Sequence, residues 1–344
     1  MAVETLIADV IPFVKRVITK RLVPMIHGSP AIGKSDIVKQ IAAEAKLWVI
    51  DIRLSMYDPA DLNGLPFRTE KNGRQLAEYL PFGVFPTEDT PIPEGYKGWL
   101  IFMDELPSAV PAVQAAAFKL ILDREVGQHK LHPMAFMVAA GNTEDDGAIV
   151  NPLPTPLQSR MINFKVKPEL KSFLAYALKH GLDYRIAAFL EFKPEYLYKF
   201  DPNHDDLTYS SPRTLMFLSK LISGETVTRD DLALVAGTIG QAAANEFISF
   251  VKLYDEIAKI SDIIANPLTA KCPTNNPSLC FAMAGSLSQH ANKKNLPAFI
   301  QYAERMDMEY QIITLRQILG RHPDLMDEEC MEEWITKYSS EIWN

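Results

Sequence analysis

The stretch GSPAIGKSDI, Gly28 to Ile37, carries two glycines, a lysine and a serine at the spacing G-x-x-x-x-G-K-[ST]. Gly28, Gly33, Lys34 and Ser35 occupy its fixed positions. Residues of these types at this spacing can cradle a chain of phosphates. The loop of Gly28, Ser29, Pro30, Ala31, Ile32 and Gly33 can turn backbone amides around phosphate oxygens. A helix opening with Lys34, Ser35 and Asp36 would add its positive dipole end. Lys34 would reach the β- and γ-phosphates, and the Ser35 hydroxyl would help to hold Mg2+. Such a cradle needs an acid near the metal, at the end of a neighbouring strand. Asp104, closing LIFMD, is placed for that role. Glu105 follows it, and an acid there can polarise an attacking water. The pair points to hydrolysis rather than to binding alone.

These groups need elements to position them. RLVPMIHG, before the loop, is a short apolar run suited to a buried strand, with Pro24 tolerable near its start. KSDIVKQIAAEAK, after it, places Ile37, Ile41 and Ala45 at helical spacing. Leu47–Leu54, Trp99–Met103, Ala135–Asn142 and Met161–Val166 read as further buried strands, and PAVQAAAFKLILDRE as a helix. Buried apolar strands alternating with helices predict an α/β fold, a largely parallel sheet covered on both faces. From Lys167 the texture changes to amphipathic helices such as ELKSFLAYALKHG, stopped by Gly181, and LMFLSKLI. A Pro- and Asn-rich break, Asn266–Ser278, precedes a last helical block. The expected organisation is an α/β core over 1–167, an all-helical lid over 168–266 and a C-terminal helical module over 279–344. Within that module Phe299, Tyr302, Met306, Tyr310 and Ile313 follow helical spacing as a core stripe.

The bulk numbers narrow the classes. A net charge of −8 argues against broad nucleic-acid binding, which needs a basic surface. No run approaches the roughly 18 apolar residues of a membrane span, and MAVETLIADVIPFVKRV lacks the apolar core of a signal peptide. A cytosolic protein with no membrane partner is expected. Cys272, Cys280 and Cys330 imply no disulfide framework; they read as buried thiols, with a Cys272–Cys280 pair as the alternative. The seven histidines form no metal-ligand set. His27 either flanks the nucleotide or packs at a strand end, and His129 and His132 are poorly spaced for zinc.

Taken in order, the motifs resemble those of AAA+ ATPases, and within them the MoxR-like group, from about Leu22 to the helix after Arg213. MDELPSAVPAVQAAAFKLILDREVG resembles the Walker B strand and the helix after it, and REVGQHKLH the pre-sensor hairpin. Asn142 matches the sensor-one position, Arg160 in LQSRM the arginine finger, and Arg213 in SSPRTL the sensor-two arginine. SMYDPADLNGLPFRTEKNGRQLAEYLPFGVFP resembles the helix-two insert of that group, with Asn72-Gly73 favouring a tight hairpin turn. The last block resembles an extra helical module of phage and bacterial relatives.

The resemblance implies a P-loop NTPase binding ATP and Mg2+. Ser35 and Asp104 would hold the metal, Glu105 would act on water, and Asn142, Arg160 and Arg213 would sense or stabilise the γ-phosphate. It also implies a homo-oligomer, a ring of six, in which Arg160 reaches the neighbour's ATP. Its work would be remodelling a client protein, with a von Willebrand factor A domain protein as a partner by the same resemblance. The alternative is a nucleic-acid motor, clamp-loader-like or restriction-type, for which Arg68, Lys71, Arg74, Arg124 and Lys130 are the basic candidates. A third reading is an assembly factor that binds nucleotide with negligible turnover.

Overall fold

A computed structural model of the chain describes residues 3–143, 151–201, 206–273 and 276–338. The chain divides into two compact units, with the boundary between Lys167 and Pro168.

The first unit is built on a six-stranded sheet. In chain order its strands and main helices are β1 (Glu4–Leu6), α1 (Ile7–Thr19), β2 (Val23–His27), α2 (Lys34–Ala45) and β3 (Trp48–Arg53). Then follow α3 (Pro59–Asn63), the hairpin strands β4 (Leu65–Lys71) and β5 (Arg74–Leu80), β6 (Trp99–Asp104) and α4 (Pro111–Asp123). A second hairpin, β7 (Glu125–Val126) and β8 (His129–Lys130), leads to β9 (Ala135–Gly141), α5 (Thr155–Gln158) and β10 (Met161–Lys167). The strand order is β1-β10-β2-β9-β6-β3, every neighbouring pair parallel. Parallel strands need cover on both faces, and alternate residues supply it. Met25, Ile101, Met103 and Met137 share a core with Val113, Ala117 and Leu120 of α4. Ile26, Leu100, Phe102 and Val138 are equally buried on the opposite face, where α1 and α2 pack. The expected α/β architecture, a parallel sheet with helices on both faces, is therefore present.

Two N-terminal elements, β1 and α1, lie outside the alternation foreseen in the sequence. Strand β1 adds an edge beside β10, and α1 buries Val10, Val14 and Ile18. The insert between β3 and β6 holds the antiparallel β4–β5 pair, joined by Asn72 and Gly73 at φ 54° and 71°. Two successive positive φ values define the primed turn that Asn-Gly suits.

The second unit is helical: α6 (Leu170–Lys179), α7 (Tyr184–Phe192), α8 (Pro212–Ile222), α9 (Leu232–Ile239), α10 (Gln241–Val251), α11 (Ile260–Ala265), α12 (Pro277–His290), α13 (Leu296–Ala303), α14 (Met308–Arg321) and α15 (Glu329–Lys337). Helix α12 is buried without a break from Cys280 to Ser288, because α7 and α14 both pack on it. One core runs from Phe173 to Tyr338, so the described helices on both sides of the Asn266–Ser278 break share it. The stripe of Phe299, Tyr302, Met306 and Tyr310 is buried, and Ile313 packs against the same core. It spans two helices, interrupted between Ala303 and Met308. Cys272, Cys280 and Cys330 are free thiols, and no described helix is long and apolar enough to cross a membrane.

Candidate active site

Strand β2 lies between β10 and β9, and the Gly28–Gly33 loop leaves its C-terminal end. In open α/β sheets ligands bind beyond the carboxyl ends of the strands, where the connections diverge. The Gly28 N–H donates to Gly141 O at 3.2 Å. A Cβ on Gly28 would lie 2.7 Å from Ile32 Cδ1 and 2.8 Å from Val166 O, so no side chain fits there. Gly33, at φ +101°, turns the chain into α2. Pro30 and Ala31 fill positions that the motif leaves open, yet Ala31 adopts φ 63°. That left-handed backbone costs a non-glycine residue about 1 kcal/mol. Ile32 is buried beneath the loop, and Ser29 is half-buried within it.

Lys34 opens α2 and is only 8% exposed. Its Nζ donates to Gly28 O at 2.5 Å, Ser29 O at 2.8 Å and Asn142 Oδ1 at 2.9 Å. The lysine thus ties the loop to the end of β9. Asp36 lies on the exposed side of the first turn of α2.

The two acids come from β6, which pairs with β3 on one side and β9 on the other. Ser35 Oγ donates to Asp104 Oδ2 at 3.2 Å. Burial pushes the Asp104 carboxyl up; the Glu105 backbone N–H, at 2.9 Å from Oδ1, then Lys34 and Ser35 pull it down. Two oxygen donors side by side, one a carboxylate strained by desolvation, fit a hard divalent cation such as Mg2+. Among the described residues no group of three or more His, Cys, Asp or Glu could hold a metal by itself.

Glu105 takes φ 58°, which turns the chain out of β6 into the 3-10 turn Leu106–Ser108. A non-glycine residue held there is a signature of sites where geometry is over-determined. Its carboxylate Oε2 accepts from Ser55 Oγ. Ser55 was not among the residues selected from the sequence. It stands two positions beyond Arg53, the partner of Asp104 in the β3–β6 register, so pairing brings it to Glu105.

Gly141 fixes the end of β9 against the turn after β6. A Cβ there would lie 2.1 Å from Pro107 Cδ, part of a rigid ring. Asn151 N donates to Pro107 O at 2.7 Å and Asn151 Nδ2 to Ala109 O at 2.9 Å, clamping that turn from the other side. Gly141→Ala is expected to destabilise the first unit by about 1–2 kcal/mol through overpacking. It should also lower nucleotide turnover by displacing Asn142. A denaturant midpoint equal to that of the wild-type chain would remove this account of Gly141.

Arg160 sits between α5 and β10 and is exposed. Its Nη1 donates to Pro156 O at 2.8 Å, and its guanidinium lies 5.0 Å over the Phe118 ring. Gly28 through Asp36, Asp104, Glu105, Asn142 and Arg160 all belong to the first unit. Arg213 belongs to the second, exposed on the first turn of α8 behind Pro212 and a Ser211–Thr214 capping box. His27 hydrogen-bonds Asn163 and is half-buried. His129 Nε2 meets Tyr79 O at 2.9 Å and so links the two hairpins. Arg68 and Arg74 are exposed on the β4–β5 hairpin, while the side chain of Lys71 lies outside the described part of the structure.

No family model and no curated protein matches the chain. Among solved structures it is similar to NtrX from Brucella abortus at 12% identity, covering 99% of this chain and 69% of that one, TM-score 0.40. It is also similar to a proline-to-glycine mutant of RuvB from Thermotoga maritima at 16% identity, 86% of each chain, TM-score 0.38. NtrX in complex with ADP gives 15% identity, the same coverage as NtrX alone and a TM-score of 0.39. The parallel strand order, with the Gly28–Gly33 loop leaving the C-terminal end of β2, defines the α/β fold.

Proposed function

We propose that the chain is a Mg2+-dependent ATPase of the AAA+ superfamily, MoxR-like in type, which assembles into a ring and remodels a client protein. The observation that carries the catalytic part is the convergence of Lys34, Ser35, Asp104, Glu105 and Asn142 at the carboxyl ends of β2, β6 and β9. Lys34 and the loop amides bind the phosphates, while Ser35 and Asp104 hold the metal, which neutralises charge on the phosphates when bound. Glu105 accepts a proton from the attacking water. Asn142, tied to Lys34, presents its amide to the γ-phosphate or that water. Arg160 acts on a neighbour's ATP, and Arg213 reports on the γ-phosphate from the helical unit.

Support for the MoxR-like part comes from the two hairpins, β4–β5 in the insert and β7–β8 before β9. Leu65, Phe67, Leu76 and Leu80 of β4–β5 are exposed apolar side chains, as expected of a surface that grips protein.

Lys34→Ala removes the ammonium that reaches the phosphates. Charge-assisted hydrogen bonds are worth about 1.5–3 kcal/mol, so ATP affinity should fall roughly tenfold to a hundredfold. Titration with a fluorescent ATP analogue measures this directly. Unchanged affinity would end the phosphate-cradle reading.

A further inference from the structure

His27 closes β2, and Asn163 lies on β10, its neighbour. The register sets Lys165 opposite His27 and Asn163 opposite Met25, so the two side chains are diagonal neighbours. His27 Nε2 lies 2.9 Å from Asn163 Oδ1. The other end of the same amide donates from Nδ2 to Gln158 O and Met161 O, each at 3.2 Å. With both amide hydrogens directed at carbonyls, the amide oxygen faces the imidazole. Nε2 therefore carries the proton and donates it. Burial pushes the His27 imidazole down, Asn163 raises it and Lys34 lowers it again.

Gln158 and Met161 bracket Arg160. His27 directly precedes Gly28, whose carbonyl receives the Lys34 ammonium at 2.5 Å. A continuous set of contacts thus runs from the phosphate loop through His27 and Asn163 to both shoulders of Arg160. The arginine is steadied separately by Pro156 O and Phe118.

Resting on the reading of Arg160 as the arginine lent to a neighbouring subunit, we infer that His27 and Asn163 are positioning residues that tie each chain's phosphate loop to the arginine loop it offers the next chain. Neither touches the reacting atoms. Each chain's own site and the site it serves are then coupled through one amide side chain.

Subunit mixing tests this. Glu105→Gln lacks the base and keeps the arginine; Arg160→Ala lacks the arginine and keeps the base. Co-assembled, they should regain turnover in the paired sites. Asn163→Ala is then added to one partner at a time. Asn163 is exposed, so truncation leaves the core intact. Placed in the Glu105→Gln subunit, which donates the arginine, it should lower turnover about tenfold to a hundredfold, the scale of a misplaced catalytic group. Placed in the Arg160→Ala subunit it should change turnover by less than about twofold on the same scale. Asn163→Asp, which keeps an acceptor for His27 and loses the donors to Gln158 and Met161, should reproduce the asymmetry. Equal losses in both arrangements, or none in either, overturn the inference alone. A silent mixture of the two single variants, with co-assembly seen by native mass spectrometry, overturns the lent-arginine reading and the inference with it.

Discussion

Glu105→Gln is expected to bind ATP as tightly as the wild-type chain and to hydrolyse it about 10²–10⁴-fold more slowly, the usual worth of a positioned general base. The substitution is nearly isosteric and keeps an oxygen that Ser55 Oγ can donate to, so the side chain stays where the structure holds it. The backbone N–H of residue 105 still donates to Asp104 Oδ1, and Ser35 still meets Asp104 Oδ2. The Ser35–Asp104 pair is therefore untouched, and only proton acceptance is lost. Single-turnover hydrolysis beside equilibrium ATP binding separates the two effects. Near-normal hydrolysis would show that a different group handles the water. The same variant, held in ATP, is the bait for an affinity pull-down of the client; capture of nucleic acid instead would favour the motor reading.

The parts of this site that were legible in the sequence are those whose partners lie within a few residues. Gly28, Gly33, Lys34 and Ser35 belong to one loop, and Asp104 and Glu105 to one strand end, so local pattern carries them. Strands β2, β6 and β9 were legible because a buried parallel strand is an uninterrupted apolar run. Strands β3 and β10 lie where expected but are only partly buried, with Asp51 and Asn163 exposed. Ser55 was not, since it meets Glu105 only through the pairing of β3 with β6. Asn163 is hidden for the same reason: nothing around it in sequence announces His27 as its neighbour. Of the Pro- and Asn-rich break at Asn266–Ser278, the described residues 266–273 and Asn276 lie outside helices, while Pro277 and Ser278 already open α12. A change of composition says where the chain turns, and says nothing about whether the helices on either side share a core. Here α7 packs on α12 across that break.

The second unit contains a buried carboxyl that has no part in the proposed function. Glu191 on α7 accepts from Gln317 Nε2 of α14, and Gln317 Oε1 in turn accepts from Ser288 Oγ of α12 at 3.2 Å. Burial pushes Glu191 up to about 8, with Gln317 and Arg316 pulling the other way. A carboxyl raised above its ordinary value binds a proton more tightly in the folded chain than in the unfolded one. Stability then falls as pH rises from the ordinary carboxylate range to about 8, and levels off above it. Each tenfold gain in proton affinity on folding corresponds to about 1.4 kcal/mol, and the residual solvent contact of Glu191 brings the effect to roughly 3 kcal/mol. Glu191→Gln removes the titration and keeps an oxygen for Gln317. Urea unfolding should find the variant close to wild type near pH 5 and roughly 3 kcal/mol more stable near pH 8.5. Because every other titrating group is common to both chains, the difference between the two curves isolates Glu191. Parallel curves across that range would mean that the α7–α12–α14 junction holds Glu191 charged.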